Sequence, residues 1–201
     1  MLSKRLIDEF SAQGFLDDQG INSVDPDSLN SGLLTVPANN RLVITTDTLI
    51  EGTHFTTGTL PYALGYKSLA VNLSDLAAMG AMPIAISLVL SCPPDVANWI
   101  PGFVKGWQSL ARQYNITYSN LQACEGDTVI TVYAYGIVPV DKKPLLRSGA
   151  VNGDLVYVSG YLGDAACALN CLMLENSQAI IQKQVNRVAE IRGKSSDLNY
   201  L

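Results

Sequence analysis

Histidine is almost missing from these 201 residues: His54 stands alone, beside four cysteines. Cys92, Cys124, Cys167 and Cys171 contain no Cys-x-x-Cys pair, so zinc would lack both ligand number and spacing. They read as small apolar packing residues in a reducing compartment, with Cys167 and Cys171 stacked on one helix face. Charge is also sparse, at 15% of residues, and 13 basic against 18 acidic side chains leave a net charge of −5 with no basic run. This balance argues against nucleic acid as a partner. No apolar run approaches membrane-spanning length; the best, Ile84 to Leu90, suits a buried strand. The opening MLSKRLIDEF scatters charges where a signal peptide has a basic start and an apolar centre. A cytoplasmic protein is expected, without membrane contact.

A hydrophobic content of 48% is enough to bury a real core, in one large domain or one domain plus part of another. Chemistry concentrates in LVITTDTLIEGTHF, Leu42 to Phe55. Leu42, Val43 and Ile44 predict a short strand, from whose end Thr45, Thr46 and Asp47 emerge with oxygen ligands of the kind Mg²⁺ takes. Gly52 lets the chain turn so that His54 faces the same space. Read alone, this is more simply an ordinary strand followed by a polar turn.

Two further carboxylates bear on that choice. YKSLAVNLSDLAAMGAM, Tyr66 to Met82, has helical spacing, with Ala70, Leu73, Ala77 and Gly80 on a close-packed face and Asn72 and Asp75 as neighbours on one side. A carboxylate buried in so apolar a helix needs a cation, a hydrogen-bond network or a helix end; a cap at Ser74 or Asp75 opening a shorter helix is the alternative. Glu125-Gly126-Asp127-Thr128 precedes the β-prone VITVYAYGIV, where Gly-Asp is either a turn or a third acidic site. Together, three isolated carboxylates at the edges of apolar elements suit a multi-metal phosphate site.

Elsewhere, Leu2 to Ala12 predicts a helix with Leu2, Leu6, Ile7 and Phe10 on one stripe, and Asp17 to Gly32 a loop. Pro83 ends the Asp75 helix, Ile84 to Leu90 is a strand, and Trp99 to Tyr114 is an amphipathic helix whose Trp99, Phe103, Trp107 and Leu110 belong in a core. Ile116 to Leu121 and Val129 to Val138 complete the strands of an α+β domain. A new unit opens near Ser148, with a strand at Asp154 to Ser159, helices at Asp164 to Glu175 and Gln178 to Ile191, and a polar tail.

These segments carry a resemblance. TTDTLIEGTHF, YKSLAVNLSDLAAMGAMP, EGDT and LLRSGAVNGDLVYVSGYLGDAACAL occur in the order found in the thiamine-monophosphate kinases of the aminoimidazole ribonucleotide synthetase superfamily, and span most of residues 30 to 175. The resemblance implies ATP as phosphoryl donor, thiamine monophosphate as acceptor and several Mg²⁺ ions. It places Asp47, Asp75 and Asp127 on metal with Thr45 and Thr46 assisting, Gly126, Asp127 and Arg147 on ATP, and His54 toward thiamine monophosphate. No covalent or acid–base catalytic residue is implied, since positioning and charge neutralisation carry phosphoryl transfer. It further implies a homodimer, in which the mixed or antiparallel sheets of the amino-terminal domains (1–147) pair into a barrel, and an incomplete second α+β domain (148–201).

The chain departs from the family pattern at three places. Asn30 stands at a metal-binding aspartate, keeping an oxygen but losing the charge and weakening that metal site. Glu125 replaces the first glycine of the Gly-Gly-Asp-Thr motif, and the loop after it is shorter. The family's carboxyl-terminal acidic motifs do not appear. A degenerate protein that keeps the fold and dimer contact is therefore the alternative to an active kinase.

Overall fold

Leu42 to Ile44 do lie in a strand, but it continues past the position where Asp47 was expected to emerge. In the computed structural model, which describes residues 2–12, 34–93, 99–158 and 160–173, β1 spans Asn40–Ile50. Its ladder with β4, Val129–Pro139, is unbroken and antiparallel from Asn40 opposite Pro139 to Ile50 opposite Val129. The β-branched Thr45, Thr46, Thr48 and Ile50 suit such a pleat, so Asp47 lies inside the strand.

β2, Met82–Cys92, flanks β4 on its other side, antiparallel, and pairs in parallel with β3, Thr117–Glu125. The order is β1-β4-β2-β3, a mixed sheet in an α+β fold. Pro83, expected to end the preceding helix, sits within β2 where its register against β4 shifts, a place that tolerates a missing N–H.

One face of the sheet is covered by three helices: α1 (Leu2–Ala12), α2 (Pro61–Ala78) and α3 (Ile100–Gln113). Ile130, Val132, Ala134, Ile86, Leu88 and Leu90 are buried on that side. The aromatic stripe is core, with Phe103 and Trp107 fully buried and Trp107 meeting Phe10 edge-on at 5.8 Å. Each such side chain contributes about 1.5–3 kcal/mol by leaving water. The opposite face exposes Leu42, Ile44, Met82 and Tyr133.

α2 begins at Pro61, earlier than its apolar run indicates, and its close crossing with α3 turns the buried stripe away from the expected face. The residues facing inward are Leu64, Gly65, Ser68, Leu69, Asn72 and Leu76, while Ala77 and Gly80, expected on the packed face, are exposed. No shorter helix opens at Ser74 or Asp75. The helix ends in a Schellman turn: Gly80, at φ +67°, donates to Ala77 O and Ala81 to Leu76 O.

α2 and α3 cross with almost no space between their backbones. A Cβ on Gly65 would stand 2.0 Å from Phe103 O, and one on Gly106 would stand 1.9 Å from Tyr62 O. Glycine is required at both for this approach.

Contacts divide the chain into one unit, Met1–Gly149, and a second, Ala150–Leu201. In the second, α4 spans Asp164–Met173. The strand expected at 154–159 does not form over residues 154–158, and Leu155, Val156 and Tyr157 are exposed. β propensity is expressed only against a neighbouring strand and a packed face, and 154–158 have neither among the described residues. The loop expected at 17–32 and the helix at 178–191 lie outside the described residues.

Candidate functional site

Along β1 side chains alternate, sending Thr45, Asp47 and Leu49 toward the helices and Thr46, Thr48 and Ile50 to the open face. Asp47 thereby meets α2. It lines a cleft of about 440 Å³ with His54, Lys67, Val71, Ser74 and Asp75. Among the described residues, neither carboxylate has a hydrogen-bond or ion-pair partner. Burial raises the Asp47 pKa above the usual carboxylate value, the Asp75 charge raises it further, and His54 opposes both. Asp75 is exposed rather than buried in an apolar helix, because the rotated stripe turns this side of α2 outward.

A chain of buried and half-buried hydrogen bonds links α3, α2 and β1. Trp107 Nε1 donates to Ser68 Oγ at 3.0 Å, Asn72 Nδ2 donates to Ser68 O at 3.1 Å, and Thr45 Oγ1 donates to Asn72 Oδ1 at 3.3 Å. Asn72 is fully buried, so it points into the core while Asp75, one turn on, points to the cleft. Thr45 thus acts through Asn72, two residues from Asp47.

The loop after β1 closes one end of the cleft. Gly52, at φ +80°, permits the turn in which Gly52 N bonds Phe55 O and His54 N bonds Ile50 O. The Ile50 N–H donates to His54 Nδ1 at 3.0 Å, which makes Nδ1 the acceptor and leaves the ring proton on Nε2. Lys67 Nζ donates to His54 O at 2.7 Å. Lys67 was missed in the sequence, although its position seven and eight residues before Ser74 and Asp75 places all three on one helical stripe.

Other expected residues are not among those that line this cleft. The Thr46 side chain leaves on the opposite face from Asp47, across from Tyr133, so the pleat separates it from the carboxylate it was expected to assist. Asp127 is exposed in the turn between β3 and β4 and is not among the cleft-lining residues. Gly126 N bonds Cys92 O at 3.2 Å, and Glu125 is the last residue of β3. Arg147 is exposed in a single 3-10 turn, Arg147–Gly149. Asn30 lies outside the described residues. Burial pushes the Cys92 thiol up to about 11, with Cys124 and Glu125 adding to the effect, so it remains a neutral packing residue at pH 7.

The donor chemistry of the cleft fits Mg²⁺. Among the described residues no group of three or more His, Cys, Asp or Glu could hold a metal, which disfavours an all-protein cage. Mg²⁺ commonly takes one or two carboxylates and completes its shell with water and phosphate, and Asp47 with Asp75 supplies that number.

Residues 28–138 match the model of AIR synthase related protein, N-terminal domain. The thiamine-monophosphate kinase of Buchnera aphidicola subsp. Schizaphis graminum is 43% identical over 143 residues, covering 71% of this chain and 44% of that protein. A crystal structure of thiamine-monophosphate kinase from Stenotrophomonas maltophilia superposes with a TM-score of 0.74 at 40% identity, covering 85% of this chain and 53% of that one. A structure described as AaThiL complexed with AMPPCP and TMP superposes at 0.66 with 27% identity, covering 91% and 57%. The chain thus spans about half the length of the relatives it matches.

Proposed function

Because the chain belongs to the AIR synthase related family through its N-terminal domain, we propose that it acts in Mg²⁺-dependent transfer of a phosphoryl group from ATP to thiamine monophosphate. The observation that carries this reading is the pairing of Asp47 and Asp75, from separate elements, on one cleft without a cationic partner among the described residues. Like charges so placed favour a divalent cation, and Mg²⁺ bound there would neutralise phosphate oxygens during transfer.

The residues of this chain hold and orient. Asp47 and Asp75 provide the first carboxylates and Asp127 a further one at the end of the β3–β4 turn. Asn30 is a weakened ligand. Thr45 keeps β1 in register through Asn72. Gly126, whose N–H is held by Cys92 O, leaves room for ATP phosphate at the turn, and the fork of Arg147 takes the phosphate oxygens. His54, with Nε2–H as its free donor, faces thiamine monophosphate. Residues 1–147 carry nucleotide, metal and the dimer contact, and 148–201 belong to a second domain.

The open sheet face supports a homodimer closed into a barrel, since Leu42, Ile44, Met82 and Tyr133 leave an apolar surface on a strand layer that, among the described residues, is covered on one side only. The degenerate reading is favoured by Glu125, a charged side chain next to Gly126 at the end of β3. The deciding assay mixes the purified chain with Mg-ATP and thiamine monophosphate and follows thiamine diphosphate by chromatography. Turnover on the order of 1 per second, an ordinary kinase rate, establishes an active enzyme; none, with nucleotide still bound, establishes the degenerate one.

A further inference from the structure

The cleft contains one lysine whose charge no carboxylate answers. Lys67 lines it together with Asp47 and Asp75, yet among the described residues its ammonium makes no ion pair, and its hydrogen bond goes to the neutral carbonyl of His54 at 2.7 Å. An ammonium has three N–H donors, so two remain after that bond. The carbonyl fixes the end of a long side chain that would otherwise sample many rotamers in water, removing part of the ordering cost of binding an anion. The stem lies on the α2 stripe shared with Val71 and Ser74, and the head reaches the loop that carries His54. The cleft therefore has acceptors on its aspartate side and fixed donors at its histidine end.

We propose that Lys67 is a phosphate-binding residue, whose remaining N–H donors take oxygens of a phosphate monoester placed in the cleft between the His54 loop and the two aspartates. This deepens the kinase reading and rests on it for the identity of the ligand. The phosphate would come from thiamine monophosphate or from the terminal group of ATP, and the shared chemistry is a tetrahedral oxyanion. The bland role for Lys67 is to staple the loop to α2, which would affect every ligand of the cleft alike.

Calorimetric titration at constant Mg²⁺ with thiamine monophosphate, unphosphorylated thiamine and ATP separates these roles. For Lys67→Met, which keeps the stem and loses the donors, the preference for thiamine monophosphate over thiamine should fall about tenfold, the effect of a lost charge-assisted bond. Thiamine affinity should not change, Lys67→Arg should restore the preference, and Lys105→Met on α3 should be silent. A comparable loss confined to ATP assigns the same chemistry to the nucleotide's terminal phosphate. An equal loss for thiamine and its monophosphate, or no loss for any ligand, overturns the proposal. Thermal melting with inorganic phosphate covers the case in which the chain binds no thiamine compound. If phosphate stabilises the parent chain but not Lys67→Met, the subsite stands and the kinase reading falls. If phosphate stabilises neither, the subsite falls.

Discussion

The Thr45 hydroxyl donates to the fully buried carboxamide oxygen of Asn72 at 3.3 Å, and this bond joins the strand that carries Asp47 to the helix that carries Asp75. Site geometry and core packing are therefore coupled through one side chain. Asn72→Ala removes the carboxamide that bridges Thr45 and Ser68, leaving Thr45 only the Asn72 backbone carbonyl at 3.4 Å and Ser68 O its bond within α2, so each lost side-chain bond costs roughly 0.5–1.5 kcal/mol. Urea unfolding should show a lower midpoint with an unchanged slope, and the stabilisation by Mg²⁺ should shrink because Asp47 is no longer held in register with Asp75.

The two aspartates give a prediction whose sign depends on pH. The Asp47 pKa is raised in the folded chain by burial and by Asp75, so between its ordinary and its raised value the folded state binds more protons than the unfolded one. Stability contributed by this group is therefore present at low pH and declines as pH rises through that window. Asp75→Asn removes the repulsive part, so at neutral pH without Mg²⁺ it should melt slightly higher than the parent. With Mg²⁺ the order should reverse, because the variant keeps only one cleft carboxylate for the cation; Na⁺ at matched ionic strength should not reproduce this.

How much of this was legible depends on which physical interaction decided each element. The strands at Ile84–Leu90 and Val129–Val138 and the helix with Phe103 and Trp107 follow from apolar periodicity, which burial rewards directly. The extension of β1 to Ile50 was not legible, because it depends on pairing with a strand far along the sequence. The face of α2 was misread for a related reason: its apolar residues are so numerous that the stripe is set by the glycine crossing with α3, not by composition. Asp47, Asp75 and His54 were recognisable as chemistry. Lys67 was not, because a lysine on a helix is ordinarily solvated and only the folded loop brings it to the His54 carbonyl. The segment 154–158 shows the converse, a β-prone run that has no strand to pair with among the described residues.

The glycine crossing supplies a stability test independent of function. A methyl at position 106 would stand 1.9 Å from Tyr62 O, a backbone atom that cannot rotate away. Gly106→Ala should force α2 and α3 apart and cost at least the 1–3 kcal/mol typical of overpacking. Gly149→Ala, where a Cβ meets nothing within 4 Å, is the control and should leave the melting temperature within about a degree. Equal melting temperatures for the two variants would mean that the helices do not cross as closely as described.

The open face of the sheet gives the last prediction. Ile44 is 56% and Met82 62% exposed on strands whose other face meets the helices, and polar Thr46, Thr48 and Ser87 share the side that no helix covers among the described residues. An apolar surface of this kind on a regular layer is more readily explained by a second sheet than by water. Light scattering at micromolar concentration should give twice the chain mass. Ile44→Asp places a charge at the centre of the proposed contact and should shift the population to monomer while leaving the unfolding cooperativity of the unit intact, because the side chain contributes little to the core beneath it. Tyr114→Ser, at an exposed aromatic residue after α3, changes as much apolar surface away from the sheet face and should leave the mass unchanged. A parent chain that is strictly monomeric at these concentrations would remove the dimer from the proposed function, and the cleft formed by Asp47, Asp75 and Lys67 would have to be explained within one copy.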